Sequence, residues 1–246
     1  MLAVEAVILA NPAQDRYDSS LTATFPPRRI SASSKRGRLM RLGIYGGSFS
    51  PIHNGHLLLA ESCREQCALD EVWFLPAATN PLKQDGVLAS DAHRVAMIEL
   101  AIAGNLAFKC NPLELERGGL SYTVDTLKEL RKIVPQAELF LLVGGDSFAS
   151  LFHWHKIAEI CELATICTVG RPGSDLSDWG RLPEVLGEDQ MAHIQQHFVE
   201  MPLIGLSSTN IRRRISSGKS IRYMVPRSVE KYIETQKVFG KQTAPA

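Results

Sequence analysis

From Met40 onward the chain alternates short apolar runs with longer segments whose apolar residues recur every three to four positions. The short runs predict β-strands over 41–46, 72–75, 106–109, 139–143, 165–169 and 199–204. The longer segments predict helices over 55–68, 91–103, 121–133, 147–160, 186–198, 209–216 and 226–235, with Ser90 or Asp91 and Ser121 as N-caps and Pro135 closing the third. This alternation predicts an α/β fold: a Rossmann-like, doubly wound, mainly parallel sheet with helices on both faces. Ligands of such sheets lie beyond the carboxyl ends of the strands, where two long loops, 76–89 and 170–186, interrupt the pattern.

Residues 1–39 follow no such period. Pro26-Pro27, serines at 31, 33 and 34, and the run Lys35-Arg36-Gly37-Arg38 read as a disordered N-terminal extension. The expected organisation is that extension, one domain over 40–240 and a flexible tail over 241–246, with Met40 as the expected initiator. Two functional readings of the extension, a basic arm for nucleic acid and an Arg-rich transit segment, are weaker; Asp15 and Asp18 oppose the second.

With 246 residues, 45% of them hydrophobic and 22% charged, the chain can bury a sizeable core. A formal charge of +1 supplies no general attraction to nucleic acid or an anionic membrane, so anion binding has to come from local sites. The five cysteines, an odd number with no C-x-x-C, read as reduced core thiols of a cytoplasmic protein. Cys63 and Cys67 share a helix face, but no nearby pair completes a zinc site. No apolar run reaches the ~20 residues that span a bilayer, and the first ten residues carry Glu5 without a basic start, unlike a signal peptide.

The candidate chemistry gathers in LGIYGGSFSPIHNGHLLLA, residues 42–60. Leu42, Ile44 and Tyr45 are strand formers, and Gly46-Gly47 remove side chains where the strand is expected to turn and let a ligand approach the backbone. Pro51 stops the strand, and a helix starts near Gly55. That start offers unpaired N–H groups and a positive dipole end to an anion. His53 and His56 stand there and can donate to phosphate oxygens as neutral imidazoles. The pair alone also fits a metal half-site, but the strand and glycines before it favour a nucleotide phosphate.

LSSTNIR, residues 206–212, repeats the device: Ser207, Ser208 and Thr209 at a helix start, with Arg212 following, form a second anion site. Between the two, Lys83 on the first long loop suits a phosphate or is a solvated lysine. Tyr122 and Thr123 in a helix's first turn suit a carboxylate or phosphate, or belong to an ordinary cap. Asp146 after Gly144-Gly145 can accept from ribose hydroxyls, cap the next helix, or both. Trp154, two to three turns into that helix, is a core residue or a stacking platform for a flat heterocycle.

These motifs resemble those of the bacterial nicotinate-nucleotide adenylyltransferases, within the wider HxGH nucleotidyltransferases. GGSFSPIHNGH is similar to GGxFDPxHxGH, and LSSTNIR to ISSTxIR; both mark the superfamily. SYTVDTL, GGDSFASLFHW (similar to G-x-D…L-x-x-W), Arg171-Pro172-Gly173 and the order of all of them mark the narrower family, over residues 40–239. Phosphopantetheine adenylyltransferases share the outer motifs and lack the middle set. Two residues depart from the pattern: Ser50 stands where the family has Asp, and Leu82 where a histidine commonly precedes the loop lysine. The first position is expected to brace the turn rather than touch the reacting phosphorus.

The resemblance implies direct attack by the phosphate of nicotinate mononucleotide on the α-phosphorus of ATP, giving deamido-NAD and pyrophosphate in NAD biosynthesis. His53, His56 and Arg212 are implied as catalytic. Gly46, Gly47, Ser48, Phe49, Gly55, Gly144, Asp146, Ser207, Ser208 and Thr209 are implied to hold ATP. Lys83, Tyr122, Thr123, Trp154 and Arg171 are implied to hold the mononucleotide. Mg²⁺ is expected to arrive with ATP, with no dedicated protein metal site. Neither nucleic acid nor membrane is an expected partner, and an oligomer is compatible with the sequence. Alternatives are another acceptor, nicotinamide mononucleotide or phosphopantetheine, and a nucleotide-binding regulator without catalysis.

Overall fold

The computed structural model describes residues 38–81, 89–148, 150–170, 181–202 and 204–240, which belong to one compact unit. The expected extension, apart from Arg38 and Leu39, and the expected tail lie outside the described residues. Strands β1 (Met40–Gly47), β2 (Glu71–Pro76), β3 (Phe108–Cys110), β4 (Ala137–Val143), β5 (Thr165–Gly170) and β6 (Phe198–Glu200) form one sheet in the order β3-β2-β1-β4-β5-β6. Every pairing is parallel. The order runs outward from β1 in one direction and from β4 in the other. The two halves of the sheet therefore part between β1 and β4, and a crevice opens at their carboxyl ends.

Two apolar layers result from the period-two alternation of buried strands. Leu42 and Ile44 of β1 and Leu139, Leu141 and Val143 of β4 share one core with Leu127 and Leu130 of α4 (Thr123–Ile133), Ile160 of α6 (Ile157–Leu163) and Ile194 of α7 (Leu182–Gln196). Tyr45, Phe74, Phe140 and Leu142 share the other with Leu59 of α1 (Asn54–Gln66), Met97 and Ile98 of α2 (Asp91–Ile102), Ile211 of α8 (Ser208–Ser216) and Val229 of α9 (Arg227–Gln236). No helix among the described residues is long and apolar enough to cross a membrane. All five cysteines carry free thiols, with Cys63, Cys67 and Cys167 buried.

Several expectations are corrected. Gly46 and Gly47 do not turn the chain: they pair with Leu75 and Pro76, so β1 runs through them. The turn follows them, and the left-handed residue in it is Phe49, at φ 45°. The helix expected over 147–160 is interrupted: α5 (Gly145–Phe148), a 3-10 turn (Leu151–His153) and α6 replace it, with Lys156 left-handed at φ 56°. Trp154 therefore ends the 3-10 turn in extended backbone rather than sitting inside a helix. The N-cap of α4 is Tyr122, not Ser121. Helix α7 begins earlier than expected and kinks at Gly187, φ 76°, while the 199–204 strand keeps only Phe198–Glu200, with Pro202 removing a ladder donor beyond it. A short helix, α3 (Leu113–Arg117), is too brief to carry a readable period.

Candidate active site

A cleft of about 1160 Å³ occupies the crevice at the strands' carboxyl edge. Its walls bring together the residues singled out along the sequence: Gly46, Gly47, Ser48 and Phe49 after β1; His53, Gly55 and His56 at the start of α1; Tyr122 and Thr123 at the start of α4; Gly144; Trp154; and Ser207, Ser208, Thr209 and Arg212 of α8. Asp146 falls on α5, and its side chain is outside the described atoms. Lys83 and Arg171 lie outside the described residues.

Gly47 and Gly55 each make room for a particular ring. A Cβ on Gly47 would stand 3.1 Å from the Phe49 ring, which folds back beneath the strand end and is 1% exposed. A Cβ on Gly55 would stand 3.1 Å from His53 Nδ1. Gly46 leaves open space above the strand, where a ligand meets peptide alone. The two imidazoles stack with centroids 3.6 Å apart, and the edge of the Phe49 ring system supports His56 at 5.1 Å.

Hydrogen bonding fixes the protonation of these rings. The backbone N–H of His53 donates to His56 Nδ1 at 3.1 Å, so neutral His56 carries its proton on Nε2 as a donor. His53 Nδ1 is buried with no hydrogen-bond partner among the described residues. Burial pushes the His53 imidazolium down to about 4, partly opposed by a backbone hydrogen bond. His53 can thus serve near neutral pH as an uncharged group beside the open end of α1.

The second helix start is locked to the first. Ser207 caps α8, its Oγ accepting from the Asn210 N–H at 3.2 Å. Ser208 Oγ donates to the Pro51 carbonyl at 2.8 Å, and Arg212 donates to the Ser50 carbonyl at 2.8 Å and to Thr209 Oγ1 at 3.3 Å. Ser50 itself is fully buried and braces the turn from the other side, its Oγ accepting from the Ala89 N–H at 3.0 Å. The 50–51 turn therefore ties the start of α8 to the start of α1.

A family model described as cytidylyltransferase-like matches residues 44–214. A protein of Oceanobacillus iheyensis named "Probable nicotinate-nucleotide adenylyltransferase" is 40% identical over 202 residues, covering 82% of this chain and 98% of its own. A protein of Geobacter sp. with the same name is 42% identical over 215 residues, covering 81% and 98%. The chain belongs to the nicotinate-nucleotide adenylyltransferase family. Its fold is also that of the Plasmodium falciparum nicotinic acid mononucleotide adenylyltransferase complexed with NaAD, at a TM-score of 0.64 and 17% identity over 81% of this chain and 97% of that one.

In this adenylyltransferase the far wall of the cleft is built by residues that sequence reasoning placed or missed unevenly. Tyr122 packs against His155, centroids 4.8 Å apart, and Trp154 lines the cleft with its Nε1–H buried and without a partner among the described residues. Ser121 is spent on the loop after β2: its Oγ accepts from the Ala78 N–H at 2.9 Å and its N–H donates to the Thr79 carbonyl at 2.8 Å. Glu114, Ser147, Ser150, His153 and His155 also line the cleft and were assigned no role from the sequence. Glu114 is buried and accepts from Thr126 Oγ1 at 2.7 Å. A carboxylate in a segment as short as α3 gives no periodic signal; His153 and His155 are visible in the sequence only as neighbours of Trp154.

Proposed function

We propose that the chain transfers the adenylyl group of ATP to nicotinate mononucleotide, giving deamido-NAD and pyrophosphate. The observation that carries this reading is the pair of helix starts, α1 and α8, pinned to one another through Ser50 and Pro51 at one edge of a cleft large enough for two nucleotides. Adenylyltransferase relatives at about 40% identity over most of the chain support the substrate class.

An oxygen of the mononucleotide phosphate attacks the α-phosphorus of ATP, the bond from that phosphorus to the β-phosphate's bridging oxygen breaks, and pyrophosphate leaves with the electron pair. The attacking oxygen is already anionic, so no general base is required and no side chain becomes covalently linked. The protein's work is orientation and charge stabilisation. His53 and His56 donate to the α-phosphate as negative charge builds on it. Arg212, with the hydroxyls and free N–H groups of Ser207, Ser208 and Thr209, holds the departing pyrophosphate. Mg²⁺ enters as part of the MgATP substrate.

Gly46 and Gly47 admit the nucleotide against bare backbone, and Asp146 is assigned to the ATP ribose. Tyr122, Thr123 and Trp154 form the wall for the nicotinate ring and its carboxylate; a mononucleotide role for Lys83 and Arg171 rests on the motif resemblance alone. The free thiols suit the reducing cytoplasm, where ATP is supplied. Incubation with ATP labelled at the α-phosphate tests the route. Label is expected in the dinucleotide alone; label recovered on denatured protein in single turnover would defeat direct transfer.

A further inference from the structure

Arg94 is among the most buried side chains of the molecule, 1% exposed, yet it is charged. It lies on the apolar face of α2, beside Val95, Met97 and Ile98, and reaches the carboxyl edge of the sheet. Its Nη1 donates to the Ala77 carbonyl at 2.6 Å and to the Ser48 carbonyl at 3.1 Å, and its Nη2 donates to Asp91 Oδ1 at 2.5 Å. Ser48 belongs to the turn after β1 and Ala77 to the chain leaving β2; both line the cleft. The Ala77 N–H donates to the Gly47 carbonyl at 2.9 Å, so one backbone bond and one guanidinium hold the two strand ends at a set spacing.

We propose that Arg94 is a positioning residue for adenylyl transfer: it holds the β1 turn, which carries the phosphate grip, at a fixed distance from the β2 exit, which leads to the acceptor wall. The inference rests on the reading of the cleft as an adenylyltransferase site. From Ala77 the chain continues through Ala78 and Thr79, whose backbone groups bond Ser121 next to the N-cap of α4. The guanidinium thus holds the β1 turn directly and bears on the start of α4 through the segment from Ala77 to Thr79.

Stability alone does not account for an arginine here. Its acidic partner Asp91 is 62% exposed, and its Nε–H is buried without a partner among the described residues. Buried charge with an unmet donor is worth less to the fold than well-packed apolar groups would be. What the planar fork provides is simultaneous, directional donation to two carbonyls and a carboxylate, which a lysine ammonium on a flexible stem does not reproduce.

The test compares Arg94→Lys and Arg94→Met with the parent, reading turnover per folded molecule, the KM for each nucleotide, and amide exchange in peptides spanning 45–49 and 74–79. Displacement of reacting groups by about an ångström costs up to a hundredfold in rate. The expected result is a kcat lowered about ten- to a hundredfold in both variants, KM values within about threefold, and faster exchange in those two peptides. A folded variant with kcat within about threefold of the parent and unchanged exchange overturns the proposal. Failure of both variants to fold overturns it as well, by making Arg94 a residue of the fold alone. An inactive parent, with exchange still accelerated in the variants, would refute the assigned reaction while leaving the clamp itself established.

Discussion

Replacing His56 by alanine separates its two jobs. The ring presents Nε2–H to the cleft because its Nδ1 accepts from the His53 backbone N–H at 3.1 Å. Removing a donor aimed at charge that develops in the transition state costs about 3 kcal/mol, a hundredfold or more in kcat. The ground-state cost is smaller. One neutral hydrogen bond of about 1 kcal/mol is lost, together with edge contacts to Phe49 and Tyr45 at 5.1 and 6.0 Å. A loss of 1–2 kcal/mol lowers the melting temperature of a domain of this size by only about 2–8 °C. His56→Ala should therefore be folded at 25 °C and nearly inactive in a pyrophosphate-release assay at saturating substrates. His56→Asn, whose amide can accept from His53 and still donate to phosphate, should recover about tenfold of the loss. A folded His56→Ala protein turning over within about threefold of the parent would refute the donor role and the tautomer argument together.

Arg212→Gln removes the charge held against the departing pyrophosphate and should lower kcat by about a hundredfold, with the larger effect at low magnesium; steady-state kinetics across a magnesium series checks it. His53 makes stability depend on pH. Its ordinary value is near 6.5 and burial holds it at about 4 in the fold, so between those values the unfolded chain binds a proton that the folded chain does not. Unfolding free energy should fall as pH drops through that window, by about 3 kcal/mol in total. Denaturant midpoints of the parent and His53→Gln at several pH values measure it, and parallel profiles would sink the assignment. Leu127→Ala, at a fully buried position between α4 and the sheet, should cost about 2–5 kcal/mol by opening a cavity, read by urea titration, with KM values unchanged if the cleft is independent of that layer.

The parallel sheet was legible because β2 and β4 hold uninterrupted apolar runs and the longer helices, α4 among them, carry an apolar stripe, and tertiary packing followed those patterns. The starts of α1 and α8 were legible for a different reason: glycine, proline, histidine, serine and arginine at fixed spacing each constrain the backbone or supply a donor, whatever surrounds them. Reading failed where the deciding force was not periodic. Lys156 leaves helical space and breaks the segment around Trp154, and a continuous apolar count from 147 to 160 carries no trace of that. The turn expected at Gly46 and Gly47 comes later, because β1 pairs with β2 through both glycines, and Gly47 leaves the space that the Phe49 ring fills. Arg94 shows the same limit: a charge on the apolar face of α2 can be noticed in sequence, but its two carbonyl partners come from loops 17 and 46 positions away.

The substitution of Ser50 for the family's aspartate has a physical account. The position is fully buried, and a hydroxyl accepting one N–H at 3.0 Å braces the turn without burying a charge there. The Ser50 carbonyl, rather than its side chain, receives Arg212. The contact between α8 and this turn therefore depends on the backbone path at this residue more than on the identity of the side chain.

The central claim is the choice of acceptor, and competition measures it most directly. Purified protein with MgATP and equal concentrations of nicotinate and nicotinamide mononucleotides should give deamido-NAD in at least about tenfold excess over NAD, a difference of about 1.4 kcal/mol in transition-state binding. Equal yields, or an excess of NAD, would contradict the account.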